Sequence, residues 1–217
     1  NEVYGGSGND FIQMEGSNNA AFGGSGDDRI TDDSQTSGSG NRYDGGEGND
    51  FMMNSAYSTQ STLLGGEGDD TILSHGVGDT VDGGAGADHI LIANQDTSAE
   101  GGAGNDIIVA YGGADSISGG DGNDILVAGG LSAAAFGGSV GTENLSQSLG
   151  YGEEGYEEGY NANVSMDDIR MLQEGTVVDG GAGDDILAGG FGDDTLIGGE
   201  GNDTFIYTVG EGNDHII

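Results

Sequence analysis

Large apolar residues recur in this chain at a fixed place, two residues after an aspartate that itself closes a cluster of glycines. The pattern is plainest where three nine-residue units run back to back: GGAGDDILA from Gly180, GGFGDDTLI from Gly189 and GGEGNDTFI from Gly198. Aligned on their glycines, they share small residues at positions one, two and four. Asp stands at position six (Asp185, Asp194, Asp203), and a large apolar residue at position eight (Leu187, Leu196, Phe205). A lone apolar position flanked by two others predicts a three-residue strand with one side chain facing inward. The GGxGx stretch before it predicts a tight turn, because glycine accepts positive φ angles and close backbone approach.

The same unit begins earlier at Gly5, Gly23, Gly45, Gly65, Gly83, Gly101 and Gly119, so the chain carries ten copies with aspartate in register. Successive starts in that first series differ by 18, 22, 20, 18, 18 and 18 residues. Between them lie weaker copies. Residues 74–82 keep Asp79 and Val81, residues 110–118 keep Asp115 and Ile117, and residues 14–22 and 92–100 keep less. After Val127 the pattern stops and resumes at Thr176. The chain therefore divides into 1–127, an insertion at 128–175, and a continuation at 176–217. Within the insertion, helices are expected over 143–149 and over 166–173, where Ser165 and Asp168 approximate a capping box. The tyrosine- and glutamate-rich stretch 151–160 reads as a solvated loop.

A turn whose main-chain carbonyls are unused, closed by a carboxylate, suits a hard cation that takes oxygen ligands, and Ca²⁺ fits best. On these residues the chain resembles the repeats-in-toxin family, whose nonapeptide is written GGxGxDxUx with U large and apolar. The resemblance covers nearly all of the chain outside the insertion. It implies an all-β fold, a right-handed parallel β-roll of 18-residue turns, two nonapeptides to the turn. Motifs 18 residues apart then stack directly, giving one edge with a nearly complete column and a second, mostly bare edge. The extra residues of the longer turns, within 32–44 and 54–64, are expected as loops bulging on the bare edge.

In that family each ion lies between adjacent turns, held by GGxG carbonyls and by the position-six carboxylates. Carried over, the column is Asp10, Asp28, Asp50, Asp70, Asp88, Asp106, Asp124, Asp185 and Asp203, with Asp194 heading a short second column that Asp214 could extend. The carbonyl ligands implied are those of Gly65, Gly66 and Gly68; Gly83, Gly84 and Gly86; Gly101, Gly102 and Gly104; Gly119, Gly120 and Gly122; Gly180, Gly181 and Gly183; and Gly198, Gly199 and Gly201. The cofactor expected is Ca²⁺, about eight to ten ions.

Composition strengthens this picture. The 217 residues include 49 Gly and no Pro, Cys or Trp, and 39 acidic side chains against 3 basic ones set a formal net charge of −36. Disulfides are excluded, and one inward side chain per nine residues makes a thin core, so metal is the evident source of stability. Without it, an acidic chain of this kind is expected to be disordered. Such a charge argues against binding nucleic acid or anionic membrane surfaces, and no stretch approaches 18 consecutive apolar residues, so no membrane span is expected.

Apparent catalytic motifs fall away. GGSVG at 137–141 would need a buried strand before it, a helix after it and an ordered His and acid to be a hydrolase elbow, but Ala133 to Ala135 precede it and the chain holds only three His; the G-x-G-x-x-G at 150–155 would set Glu153 and Glu154 against a phosphate. His75, His89 and His215 have no ligand spacing and are expected on the solvated surface. The chain is therefore expected not to be an enzyme. At outward position nine, Met53, Leu73, Leu91, Val109 and Val127 would align into an apolar stripe suited to self-association or protein contact, unless the insertion folds back over it.

The resemblance implies a secreted or cell-surface bacterial protein, folding on Ca²⁺ after type I export. Two roles compete. The roll is a structural or adhesive segment of an extracellular protein, or it is the folding and export module of a secreted protease, lipase or epimerase whose catalytic domain lies elsewhere.

Overall fold

The computed structural model describes residues 1–32, 35, 37–113, 115–128, 175–190, 192–207 and 212–217. It is an all-β solenoid of parallel strands in about nine turns, with no helix among the described residues. One turn serves for all. The strand Thr80–Ala85 runs into a tight turn at 86–88, the strand His89–Ile92 crosses back, and a second turn at 93–97 leads to Ser98–Ala103, which pairs in parallel with Thr80–Ala85. Repetition produces a ten-stranded sheet from Glu2–Ser7 to His215–Ile216, facing a nine-stranded sheet from Phe11–Gln13 to Thr204–Ile206. At the usual strand separation the stack is about 45 Å long.

The nonapeptide dictates this path. Its GGx segment forms the end of a six-residue strand in the first sheet, its GxD the turn, and its last three residues the strand in the second sheet. Side chains alternate in and out along each strand, so Val81 is buried between Thr80 and Asp82, and Ile90 between His89 and Leu91. Stacking these positions gives two facing files. Ala21, Tyr43, Leu63, Val81, Ala99, Ile117, Val178 and Leu196 come from the first sheet. Ile12, Ile30, Met52, Ile72, Ile90, Ile108, Leu126 and Leu187 come from the second.

The core is fuller than one inward residue per nonapeptide. In the second sheet the residue two beyond position eight also turns inward, adding Met14, Ile92, Ala110 and Ala128, and with them the polar Asp32, Asn54 and Ser74. The Tyr43 hydroxyl donates to Asp32 Oδ2 at 3.3 Å inside this layer.

The longer turns are not simple bulges. Part of their extra length forms a third, two-stranded parallel sheet in which Gly38–Ser39 pairs with Ser58–Thr59, and a bridge from Thr59 to Val77 carries it one turn further. The expected helices at 143–149 and 166–173, the loop at 151–160 and the glycine motifs at 137–141 and 150–155 all lie outside the described residues. Register nonetheless continues across that segment: Ser116–Asp121 pairs with Val177–Ala182, and Ile125–Val127 with Ile186–Ala188.

The position-nine residues do align, Met53 with Leu73, Leu91, Val109 and Val127 in successive turns. They are not an open surface: Leu73, Val109 and Val127 are buried, and Met53 and Leu91 half-buried. His75 also departs from expectation. It is half-buried, its main-chain N–H donating to Asn54 Oδ1 at 2.6 Å and its ring Nδ1 lying 3.2 Å from the Asn54 carbonyl. Burial lowers its pKa, and the Asn54 contact opposes that shift.

Candidate metal centre

One edge of the roll is built by the GGxGxD turns. Their position-six carboxylates are held by a main-chain ladder. The amide of Asp10 donates to Asp28 Oδ1 at 2.7 Å, that of Asp28 to Asp50 at 2.7 Å, and that of Asp50 to Asp70 at 2.7 Å. Asp70, Asp88, Asp106 and Asp124 continue to Asp88, Asp106, Asp124 and Asp185 at 2.8 Å each, and Asp185 reaches Asp203 at 3.2 Å. The step from Asp124 to Asp185 spans 61 residues of sequence and keeps the geometry of its neighbours. All nine aspartates expected in the column thus stand in one file.

The other carboxylate oxygen is the telling one. Oδ2 of Asp10, Asp28, Asp50, Asp70, Asp88, Asp106, Asp124 and Asp185 is buried with no hydrogen-bond partner among the described residues. Each lies over the first glycine of its own motif. A Cβ added at Gly5 would stand 2.7 Å from Asp10 Oδ2 and 2.6 Å from the Gly23 carbonyl oxygen, and one at Gly180 would stand 2.5 Å from both Asp185 Oδ2 and the Gly198 carbonyl. Gly65, Gly83, Gly101, Gly119 and Gly198 sit the same way against Asp70, Asp88, Asp106, Asp124 and Asp203. Only glycine leaves room for these oxygens to crowd together.

The second and fourth motif positions adopt positive φ. Gly84 (+108°) and Gly86 (+137°) are typical, and Gly66, Gly68, Gly102, Gly104, Gly120, Gly122, Gly181, Gly183, Gly199 and Gly201 follow. A Cβ on Gly84 or Gly86 would strike the carbonyl of Gly66 or Gly68 in the turn before, so these carbonyls point into the gap between turns. The gap is lined by carboxylate and carbonyl oxygens, the donor set a hard cation takes. Among the described residues no three His, Asp or Glu side chains gather into a chelating cluster. The capacity for a cation therefore lies in the pairing of these carboxylates with main-chain carbonyls.

Electrostatics make the same point. Burial pushes Asp50, Asp88 and Asp124 up to about 6 and Asp70 to about 7, neighbouring aspartates add to the rise, and the main-chain hydrogen bond opposes it. Asp106 and Asp185 are raised by burial as well. Carboxylates stacked at strand spacing and removed from water resist ionisation unless positive charge joins them.

Sequence reading passed over position five. On this edge it is occupied by Asn9, Asp27, Asn49, Asp69, Ala87, Asn105, Asn123, Asp184 and Asn202, so all but Ala87 carry a side-chain oxygen of the same reach. These exposed groups make a second ladder, running opposite to the first: Asp69 N–H donates to Asn49 Oδ1 at 2.9 Å and Ala87 N–H to Asp69 Oδ1 at 2.8 Å.

The opposite edge is constructed differently. Its turns place Asn18, Gln60 and Asp96 in the left-handed region at φ 54°, 55° and 61°, with Gly40 and Gly78 at 65° and 71°. Some polar side chains there meet their needs internally. Asn41, at position six, accepts from Asn19 N–H at 2.9 Å and donates from Nδ2 to the Gly16 carbonyl at 2.7 Å. Asp79 Oδ1 accepts from Ser61 N–H at 2.8 Å, while its Oδ2 accepts from Asn54 Nδ2 at 2.6 Å and Ser74 Oγ at 2.8 Å. An amide or hydroxyl supplies the positive pole that a cation would otherwise supply.

Asp115 accepts from Thr97 N–H at 2.9 Å, but its Oδ2 and the Thr97 Oγ1 are buried without partners among the described residues, and burial raises its pKa to about 7. Asp194 accepts from Thr176 N–H at 2.7 Å, and Asp214 from Asp194 N–H at 3.1 Å, so the short second column is present at the end of the roll.

Comparison with known families gives one match: the RTX calcium-binding nonapeptide repeat, found in four copies over residues 1–30, 61–90, 100–130 and 179–216, more than half of the chain. No curated protein and no solved structure matches. Among the described residues no helix is long and apolar enough to cross a membrane.

Proposed function

The chain belongs to the RTX calcium-binding nonapeptide repeat family, and from that premise we propose that it is the structural or adhesive β-roll of a secreted bacterial protein, without catalytic activity of its own, that folds on meeting calcium outside the cell. Calcium binding is the property of the repeats. Folding on calcium is supported chiefly by one observation, the row of buried Oδ2 atoms from Asp10 to Asp185 that have no partner among the described residues.

A buried, unpartnered carboxylate costs more than an ordinary lost hydrogen bond. Eight of them in one file, 4.8 Å or so apart, oppose folding together. Calcium bound among them removes that opposition, and its contribution depends on the free ion. At about tenfold above a dissociation constant of roughly 10⁻⁴ to 10⁻³ M, each ion adds about 1.4 kcal/mol. At micromolar cytosolic levels the contribution nearly disappears. The polypeptide accordingly stays unfolded where it is made and orders where calcium is abundant, in keeping with a family whose members are typically extracellular.

One ion for each successive pair of aspartates on the GGxGxD edge, with few or none over residues 14–79 of the other, corresponds to about eight or nine ions. The test is circular dichroism during titration with Ca²⁺, with Mg²⁺ as the control. Strand signal should rise cooperatively with Ca²⁺ alone. Full strand signal in chelator at neutral pH would refute calcium-dependent folding.

A further inference from the structure

We propose that the Asn and Asp side chains at motif position five are positioning residues for calcium, aiming the position-four glycine carbonyls into the ion gap, and that Ala87 leaves one such carbonyl unclamped. This rests on calcium occupying the aspartate edge.

The bonds form a continuous series with one break. Asn9 Oδ1 accepts from Asp27 N–H at 3.1 Å, Asp27 Oδ1 from Asn49 at 3.0 Å, Asn49 Oδ1 from Asp69 at 2.9 Å and Asp69 Oδ1 from Ala87 at 2.8 Å. Beyond the break, Asn105 Oδ1 accepts from Asn123 at 2.9 Å, Asn123 Oδ1 from Asp184 at 2.8 Å and Asp184 Oδ1 from Asn202 at 2.8 Å. Ala87 has no side-chain acceptor, so the amide of Asn105 lacks the bond that its counterparts have. Among the described residues, the device recurs on the other edge at its last turn, where Asp193 Oδ1 accepts from Asn213 N–H at 2.9 Å, beside the aspartate pair Asp194 and Asp214.

Peptide geometry connects this file to the ion. The N–H of position five and the C=O of position four belong to one planar trans peptide, so they point in opposite directions. Holding the Asp69 N–H toward the preceding turn turns the Gly68 carbonyl toward the next one, where it faces Gly86. The side chains bearing the acceptors are exposed and contribute nothing to the core. Their effect is on carbonyl direction, and rigid carbonyl placement is what lets an oxygen site discriminate between ions of different size.

The test uses the full chain and three variants, Asn49→Ala, Asn49→Asp and Ala87→Asn, unfolded in urea at saturating Ca²⁺ and again at saturating Sr²⁺. Asn49→Ala should lower the folded-to-unfolded ratio about fivefold in Ca²⁺, the worth of one hydrogen bond, and by a clearly smaller factor in the larger Sr²⁺. Asn49→Asp keeps the acceptor and should stay within about twofold of the parent. Ala87→Asn should raise the ratio in Ca²⁺ more than in Sr²⁺. Equal factors in the two ions would reduce the file to a simple brace and overturn the positioning role, as would no effect at all. Loss of calcium dependence in the unmodified chain is a separate outcome, and it would remove the calcium reading itself.

Discussion

Replacing Asp88 by Asn should stabilise the metal-free roll and lessen what calcium adds to it. Asp88 is fully buried, its Oδ1 held by the Asp70 amide at 2.8 Å and its Oδ2 without a partner. In the metal-free roll that oxygen carries the penalty of a buried unsatisfied group, about 1–3 kcal/mol and more when charged. Asparagine keeps Oδ1 and puts an NH₂ where Oδ2 was, in reach of the Gly101 carbonyl that shares the space over Gly83. Asn41 already makes such a bond on the other edge, to the Gly16 carbonyl. The metal-free form should therefore gain about 1–3 kcal/mol. In calcium at about tenfold above its dissociation constant, about 1.4 kcal/mol of the metal's contribution is lost for each ion the carboxylate serves, which offsets that gain. The assay is strand signal followed in two series: against urea with calcium present, and in chelator against a protecting osmolyte, which drives burial without supplying a ligand. The variant should fold at lower osmolyte in chelator, and in calcium its gain, read from the urea midpoint, should be smaller by about 1.4 kcal/mol for each ion lost. A loss of stability in chelator as well as in calcium would show that Asp88 is an ordinary structural hydrogen-bond acceptor, and would refute the argument from the unpartnered oxygen.

Two further outcomes follow from the two edges. Asp50, Asp88 and Asp124 are raised to about 6 and Asp70 and Asp115 to about 7 by burial. A raised folded-state value means that the folded chain binds more protons, so in chelator these groups favour folding below about pH 4, and that contribution fades as pH rises through 6 to 7. Acid should thus partly replace calcium, visible as strand signal returning when a calcium-free sample is titrated downward. On the other edge, Asn54→Ala removes donors from Asp79 and Ser58 and the acceptor for His75 N–H. It should cost about 1–3 kcal/mol in urea while equilibrium dialysis counts the same number of bound calcium ions as in the parent.

The aspartate edge was legible because its chemistry repeats without variation. Glycine is required where Asp88 Oδ2 and the Gly101 carbonyl crowd Gly83, and where φ is positive at Gly84 and Gly86, so the letters at those positions cannot drift. Elsewhere the same position tolerates different solutions, and the sequence loses its regularity. The second inward file of the core holds Met14, Asp32, Asn54, Ser74, Ile92, Ala110 and Ala128 in turn, a set with no common character. The pairing of Gly38–Ser39 with Ser58–Thr59 likewise joins Ser- and Thr-rich loops that follow no shared motif. Position five is a different case. Its Asn and Asp residues were visible in the line of letters, but a ladder between residues 18 or 20 apart has meaning only once the turns are stacked.

The unbroken register between Asp124 and Asp185 makes the junction after Ala128 a natural graft site. The strands before Ala128 and after Thr176 are paired as if nothing intervened. Loop-closure entropy grows only with the logarithm of length, about 0.6 kcal/mol per doubling. Cargo of very different sizes can therefore be carried from this corner while the rod beneath it keeps its own geometry.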